Sequence, residues 1–504
     1  MNLSPVDYSD VQGLVRFGYA RMTDACYFLV NVKQTAAARR WLAAAPITTA
    51  VTLNPPPKTA LQLAFTRQGL EALRVPQSVI AGFSAEFIAG MASDENRSRR
   101  LGDVAASSPA NWRWGNADRV PHAVVMLFAG AGFLDSWKQS IKDQSWSAAF
   151  EEIACLPTSD MEGREPFGFI DGISQPEIDW DQARKVPING YERKYSNQVS
   201  LGEFLLGYRN EYGRYTDRPL LDPQDPAGQY LPFAEDHPSK KDVGRNGTYL
   251  VMRQLAQDVR GFWQFLDRAT NSKLEERYKL GSLMVGRAFA DGSPLVPLSR
   301  EAIPGITDQH NGIQQNQFTY DLDVDGMHCP YGAHIRRANP RNPDIPGDPK
   351  GLISTLIRTF GFGNRNIRED LIASTRFHRI LRRGREYGPK LTPEDALQPA
   401  PPQDGEAGLH FFAINSNIQR QFEFIQAAWL MRTKFDGMTE ESDPLLGNRT
   451  PVIGCPFTNT FSAPLSGGIR KRIMGLPKFI NVRGGAYFFL PGMSALRYLG
   501  GLQD

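Results

Sequence analysis

The sequence predicts an α+β protein of two domains, with a boundary near residue 240. Three observations predict it. At 504 residues the chain is longer than one hydrophobic core usually serves. Both halves open with a β-rich run feeding a helical one, and both contain further strands. Between the halves, Gln182–Asn246 is crowded with Pro, Asp, Gly, Tyr and Arg, the composition of long loops at a junction.

The elements follow in order. CYFLVNV (Cys26–Val32) is rich in β-formers and precedes TAAARRWLAAA, an alanine-rich helix that Thr35 can cap. LQLAF (Leu61–Phe65) leads into TRQGLEAL, with Thr66 at the cap position. HAVVMLFA (His122–Ala129) reads as a buried strand. In the second half TYLVMR (Thr248–Arg253) is a strand and QLAQDVRGFWQFL is helical. LHFFAIN (Leu409–Asn415) is a strand, after which Asn417 caps a helix with Phe422, Ile425 and Trp429 on one stripe. AYFFL (Ala486–Leu490) is a late strand, and the proline-rich Asp395–Gly408 a surface loop.

Composition narrows the function. The 57 basic and 54 acidic residues leave a net charge of +3, which makes no electrostatic case for nucleic acid or an anionic membrane. The longest apolar run, Ala123–Leu134, is too short to span a bilayer. MNLSPVDYSD has neither the basic start nor the apolar core of a secretory signal, so a cytoplasmic protein is expected, with secretion left open. Cys26, Cys155, Cys329 and Cys455 are far apart and contain no C-x-x-C pair; free buried thiols are expected.

The chemistry rests on a few residues. In EPFGFIDGISQPEIDW, Asp171 stands among Phe167, Phe169, Ile170 and Ile173, where a carboxylate is costly unless something uses it. A turn carboxylate that caps a helix is the plainer reading. Of seven histidines, His334 (CPYGAHIRRANPR) and His378 (RFHRILRRGREYG) keep unusual company, each near clustered arginines. No H-x-H or H-x-x-x-H pair exists, so zinc is not expected. One axial histidine with arginines for its propionates is enough for a haem. Spacing alone permits that reading and does not require it. There is no Walker A sequence, complete G-x-G-x-x-G or G-x-S-x-G elbow.

GFIDG (Gly168–Gly172) with ISQP after it resembles the G-x-x-D-G signature of the dye-decolorizing peroxidases. So do AHIRRANPR (Ala333–Arg341), LRRGREYG (Leu381–Gly388), GLHFFAINSNIQRQFEFIQAAW (Gly408–Trp429), DPLLG (Asp443–Gly447) and GGAYFFLPG (Gly484–Gly492). Near the N-terminus, Val11–Met22 is similar to the family's opening segment. The blocks keep the family's order nearly end to end.

That resemblance implies two ferredoxin-like domains with antiparallel sheets flanked by helices: residues 1–240, carrying GFIDG, and residues 241–504, holding haem b. It implies His334 as the proximal iron ligand, Asp443 as the carboxylate bonded to it, Arg341 as a propionate partner, and Leu409 and Phe411 as pocket walls. Asp171 and Arg382 would be the catalytic pair on the peroxide side. Arg383 and Arg376 lie close to Arg382. His410, between Leu409 and Phe411 on a strand, should point away from the pocket. Asn342–Leu371 looks like an insertion, as in the longer subgroup.

The implied activity is oxidation of dyes, phenolics or other aromatic substrates in one-electron steps, with hydrogen peroxide as oxidant. Asp171 would move the peroxide proton, with its optimum on the acid side of neutral. Tyr387 and Trp429 are possible radical relays. A haem carrier, or a protein releasing iron from haem, is the alternative. The partners expected are peroxide and an aromatic reductant, without nucleic acid or membrane span; an oligomer is possible.

Overall fold

A computed structural model describes residues 5–183, 197–296, 315–316, 318–320, 322–341, 375, 377–402, 404–435, 438–451, 456–465 and 467–502. The apparent insertion, Arg376 and Cys455 lie outside them.

The strands fall into two sets that repeat one order. The first set is β1 (Asp24–Val32), β2 (Thr59–Phe65), β3 (Ala123–Ala129) and β4 (Phe150–Pro157), arranged β4-β1-β3-β2. The second is β5 (Thr248–Gln257), the short β6 (Leu381–Arg382) and β7 (Arg385–Tyr387), β8 (Ala407–Asn415) and β9 (Ile480–Leu490), arranged β9-β5-β8 with β6 and β7 both on β8. All these pairings are antiparallel. Position for position, each set is the four-one-three-two order of a ferredoxin-like sheet. The sets meet where β9 pairs with β2 at Phe489 and Phe65, so one sheet runs through both halves.

Helices cover the sheet: α1 (Thr35–Ala44), α2 (Leu134–Ile141), α3 (Val259–Ala269), α4 (Leu274–Val285), the one-turn α5 (His334–Ala338) and α6 (Met493–Gly501). Every residue of β3 and β5 is buried; β3 accordingly reads as an unbroken apolar run, whereas β5 also buries Arg253, Gln254 and Gln257. Along β1, Cys26, Phe28 and Val30 enter one core while Tyr27 and Leu29 enter the other. That is the two-residue period of a strand covered on both faces.

Four local expectations change. The loop expected over Asp395–Gly408 begins inside a short helix, Pro393–Leu397, and ends in β8. Thr35 is the first residue of α1 and not its cap; its hydroxyl donates to the Ala72 carbonyl. Gln254–Gln257 continues β5, and the helix starts only after Asp258, whose carboxylate accepts from the Gly261 N–H. Beyond Asn417 the chain winds as two π-helical segments, Gln419–Glu423 and Ile425–Leu430. Asn417 caps the turn, accepting from the Arg420 N–H at 2.8 Å. Thr66 caps its helix as expected, accepting from the Gly69 N–H.

The link between the strand sets positions the site. Its Phe167 ring packs 4.5 Å from Phe262 of α3, and Trp263 donates its indole N–H to the Phe167 carbonyl. GFIDG is thus carried between the two sets but seated against the helices of the second.

Candidate active site

The GFIDG loop is shaped by glycine and held by a buried glutamate. Gly168 and Gly172 both have positive φ, at 96° and 80°, conformations that cost a β-carbon residue energy. Glu165 accepts the N–H groups of Phe167 and Phe169, each at 3.0 Å, and the Gln257 amide at 2.8 Å. Burial nevertheless dominates and pushes its carboxyl up to about 7. The Asp171 N–H is tied to the Gly163 carbonyl at 3.0 Å.

Asp171 is not a helix cap. Its Oδ1 accepts from Arg382 Nη1 at 2.7 Å. Burial pushes the carboxyl up, but the Arg382 charge and hydrogen bond prevail and hold it below the usual aspartate range. Gln175, in the ISQP continuation, fixes Arg382 from behind: its amide donates to the Arg382 carbonyl at 3.2 Å and its oxygen accepts the Arg382 N–H at 3.0 Å. The neighbouring Arg383 is committed elsewhere, donating to the carbonyls of Leu14 and Val15.

His334 opens α5. Its Nδ1 lies 2.9 Å from Oδ2 of Asp443, which is fully buried. The other Asp443 oxygen accepts the N–H groups of Leu445 and Leu446, at 2.9 and 2.8 Å. Burial pushes Asp443 up and His334 down, but their mutual attraction wins in both, lowering the carboxyl and raising the imidazole. An ionised Asp443 can only accept, so the Nδ1 proton is fixed and the Nε2 lone pair is left free. Nε2 has no hydrogen-bond partner among the described residues.

Asp171, Arg382 and His334 line one cavity. Leu409, Phe411, Ile170, Ile173, Phe422 and Leu445 supply apolar walls. His410, the residue between Leu409 and Phe411, lines a different cavity and is bonded to the Pro157 carbonyl. His378 also lines the first cavity, but its Nδ1 contacts the Arg420 carbonyl and its ring stacks on Phe424 at 3.8 Å. Burial pushes it down to about 4.

Four expected residues stand outside this cavity's lining; one is Asp443, which reaches it only through His334. Arg341 is fully buried behind it, bonded to Asn316, over the Phe318 ring and 3.4 Å from Ser174 Oγ. Tyr387 lines the second cavity, stacked on His410 at 4.5 Å with its hydroxyl on Glu406. Trp429 packs edge-on to His378 and Phe424.

Sequence reasoning missed Arg287, Glu165 and Gln175. Arg287 lines the cavity and donates to Ser174 Oγ at 2.8 Å and to the carbonyls of Gly292 and Gln315. No described carboxylate pairs with it. Burial and the nearby Arg341 and Arg382 charges push it down to about 10. Glu165 and Gln175 flank GFIDG, so their proximity to the signature was a usable signal; Arg287, in VGRAFADG, had none.

The residues fit a haem. An imidazole with a free lone pair, apolar walls and an arginine with no carboxylate among the described residues match the iron, the macrocycle and an anionic propionate. Among the described residues no cluster of three or more His, Cys, Asp or Glu offers a bare metal site instead. No described helix is long and apolar enough to cross a membrane.

No protein-family model matches the chain. Several characterised proteins do. The chain is 29% identical to dye-decolorizing peroxidase AauDyP1 of Auricularia auricula-judae over 517 residues, covering 97% of this chain and 86% of the relative. It is also 29% identical to dye-decolorizing peroxidase msp1 of Mycetinis scorodonius, over 88% of this chain and 76% of that one. A bacterial relative, multifunctional dye peroxidase DyP2 of Amycolatopsis sp., is 29% identical over 78% of this chain and 74% of its own. The crystal structure of AauDyP complexed with imidazole superposes with a TM-score of 0.71 at 25% identity, covering 98% of this chain and all of that one.

Proposed function

This chain belongs to the dye-decolorizing peroxidase family, and from that premise we propose how its residues carry out the reaction. It is an oxidoreductase that takes hydrogen peroxide as oxidant and dyes or other aromatics as reductants. The cofactor is a haem, proposed to be haem b. When bound, the haem would supply the iron at which peroxide is reduced and the redox capacity that couples one two-electron oxidant to two one-electron donors.

The chain's own groups do the rest. His334 would hold the iron through Nε2, and Asp443, holding Nδ1–H, would make that nitrogen a stronger donor. Arg287 would hold a propionate, and Arg341 would support it from behind through their common partner Ser174. Asp171 takes a proton from one peroxide oxygen and returns it to the other, which leaves as water. Arg382 steadies the negative charge that builds as the O–O bond breaks, and cannot itself give up a proton. Leu409 and Phe411 keep bulk water and large dyes out. Overall, peroxide, two protons and two electrons become two waters, each electron coming from one aromatic donor.

The observation that carries this reading is the Asp171–Arg382 pair at 2.7 Å in the same cavity as His334. A carrier needs neither a proton-moving carboxylate nor a fixed cation there. Tyr387 and Trp429 are proposed relays for donors too large for the cavity. The cytoplasm is the proposed location.

The test is rapid-mixing absorption spectroscopy of the haem-loaded protein with peroxide. A fast Soret change should be slowed about 10²–10⁴-fold in Asp171→Asn with haem retained. A Soret band indifferent to peroxide would favour the carrier.

A further inference from the structure

Two cysteines meet away from the haem cavity, at the outer edge of the sheet. In the antiparallel register of β1 and β4, Cys26 faces Pro157 and Phe28 faces Cys155. Cys26 and Cys155 are therefore diagonal neighbours on one face of the sheet. Their sulfurs are 2.8 Å apart. The two thiols differ in access: Cys155 is exposed to solvent, whereas Cys26 is fully buried in the core.

We propose that Cys26 and Cys155 form a peroxide-oxidisable thiol pair, with Cys155 attacking and Cys26 resolving. In the first step the Cys155 thiolate attacks one peroxide oxygen. The O–O bond breaks, a sulfenic acid forms and, with one proton, water leaves. In the second step Cys26 attacks the Cys155 sulfur, the S–O bond breaks and a second water leaves. Two thiols and one peroxide become one disulfide and two waters. The oxidant is the one the peroxidase already uses, so the pair rests on that reading only for its supply.

The surroundings favour this division of labour. The Cys26 S–H aimed at Cys155, followed by Lys138 of α2 and Lys142 just beyond it, hold the Cys155 thiol down to about 7 against burial and the Glu152 carboxylate. Cys26 is driven in the opposite direction by the same contact and by burial. A thiolate at the solvent side and a protonated thiol behind it is the arrangement of an attacking and a resolving sulfur. The edge concerned is also joined to the second cavity: the Pro157 carbonyl, two residues beyond Cys155, holds His410, on which Tyr387 stacks.

The experiment treats reduced holoenzyme with a small excess of hydrogen peroxide, then alkylates it after denaturation and maps the cysteines by mass spectrometry. Cys26 and Cys155 should lose alkylation together and appear as one cross-linked peptide pair, two hydrogens lighter than the separate peptides. Buried Cys329 should stay alkylatable. Cys26→Ser should stop at a sulfenic acid on Cys155, trapped by dimedone; Cys155→Ser should give no adduct on Cys26. Full alkylation of both cysteines after peroxide, or no trapped adduct in Cys26→Ser, would overturn the proposal. His334→Ala separates this chemistry from the peroxidase reaction. The cross-link should still form there; its loss would mean that the haem, not direct attack by Cys155, oxidises the pair.

Discussion

At the scale of the residue, the site turns on how Arg382 sets the acidity of Asp171. Left alone in its apolar loop, the carboxyl would be pushed up by burial; Arg382 reverses that. Because the folded value lies below the ordinary one, the proton-accepting form persists as pH falls well below neutral. Peroxide reduction should therefore hold its rate on the acid side. In Arg382→Leu the cation is gone and burial governs, so the acid limb of the rate profile should move to higher pH while the rate falls about 10²-fold or more. Arg382→Lys should keep most of the pH position, because the charge remains, and still lose rate because the planar fork is gone. Rapid-mixing profiles of the three proteins decide this; an acid limb unmoved in Arg382→Leu would remove Asp171 from the role. On the other side, Asp443→Asn weakens the pull on His334 Nδ1–H. It should raise the haem reduction potential, read by redox titration, since a less basic ligand favours oxidised iron less.

At the scale of the element, the loop from Glu165 to Gln175 is a small machine for presenting Asp171. Its two fastenings make separate predictions. Gln175→Ala removes both bonds to the Arg382 backbone, and should cost about 1–3 kcal/mol while leaving the haem bound. Peroxide reactivity should fall several-fold in that variant, and unchanged reactivity would mean that β6 holds Arg382 unaided. Glu165 carries a sign that depends on pH. Its folded value, about 7, lies above its ordinary 4.5, so its stabilising contribution is complete below 4.5 and is lost as pH rises through 7. Glu165→Gln offers one acceptor oxygen to the two amides of Phe167 and Phe169, and should melt below the native protein at pH 5. At pH 8 the native protein pays for a buried charge that glutamine avoids, so the gap should narrow. Thermal melts at both values test this, and a constant gap would contradict it. The signature GFIDG was legible because its chemistry is local: a carboxylate in an apolar run between turn-forming glycines. Arg287 was not legible, because its meaning comes from having no carboxylate partner among the described residues, which only tertiary placement reveals. The π-helical winding after Asn417 was hidden for a similar reason. Phe422, Ile425 and Trp429 read as one α-helical stripe, but only Phe422 and Ile425 reach the cavity in the wider winding.

At the scale of the whole molecule, two sets of strands share one sheet. Strand-then-helix openings in both halves made that duplication readable, but not the joint between the sets. Nothing in LQLAF or AYFFL says that Phe65 and Phe489 will face each other across an edge. The joint makes the halves dependent on each other. Phe65 and Phe489 are fully buried, and the core around them is continuous from Phe28, Trp41 and Trp146 in the first half to Tyr249, Phe262 and Trp263 in the second. An edge left open at β2 or β9 would expose both unpaired backbone and that core, so neither set is expected to stand alone. The haem-free protein should accordingly unfold in a single transition, with β1 and β3 amides protected to the same free energy as those of β5 and β8 in native-state hydrogen exchange. Phe489→Ala should lower that common value by about 3–5 kcal/mol in both sets, although only β9 carries the change. If protection fell in β5 and β8 while β1 and β3 kept theirs, the halves would be independent bodies. The haem cavity, seated on the second set, would then owe none of its stability to the first.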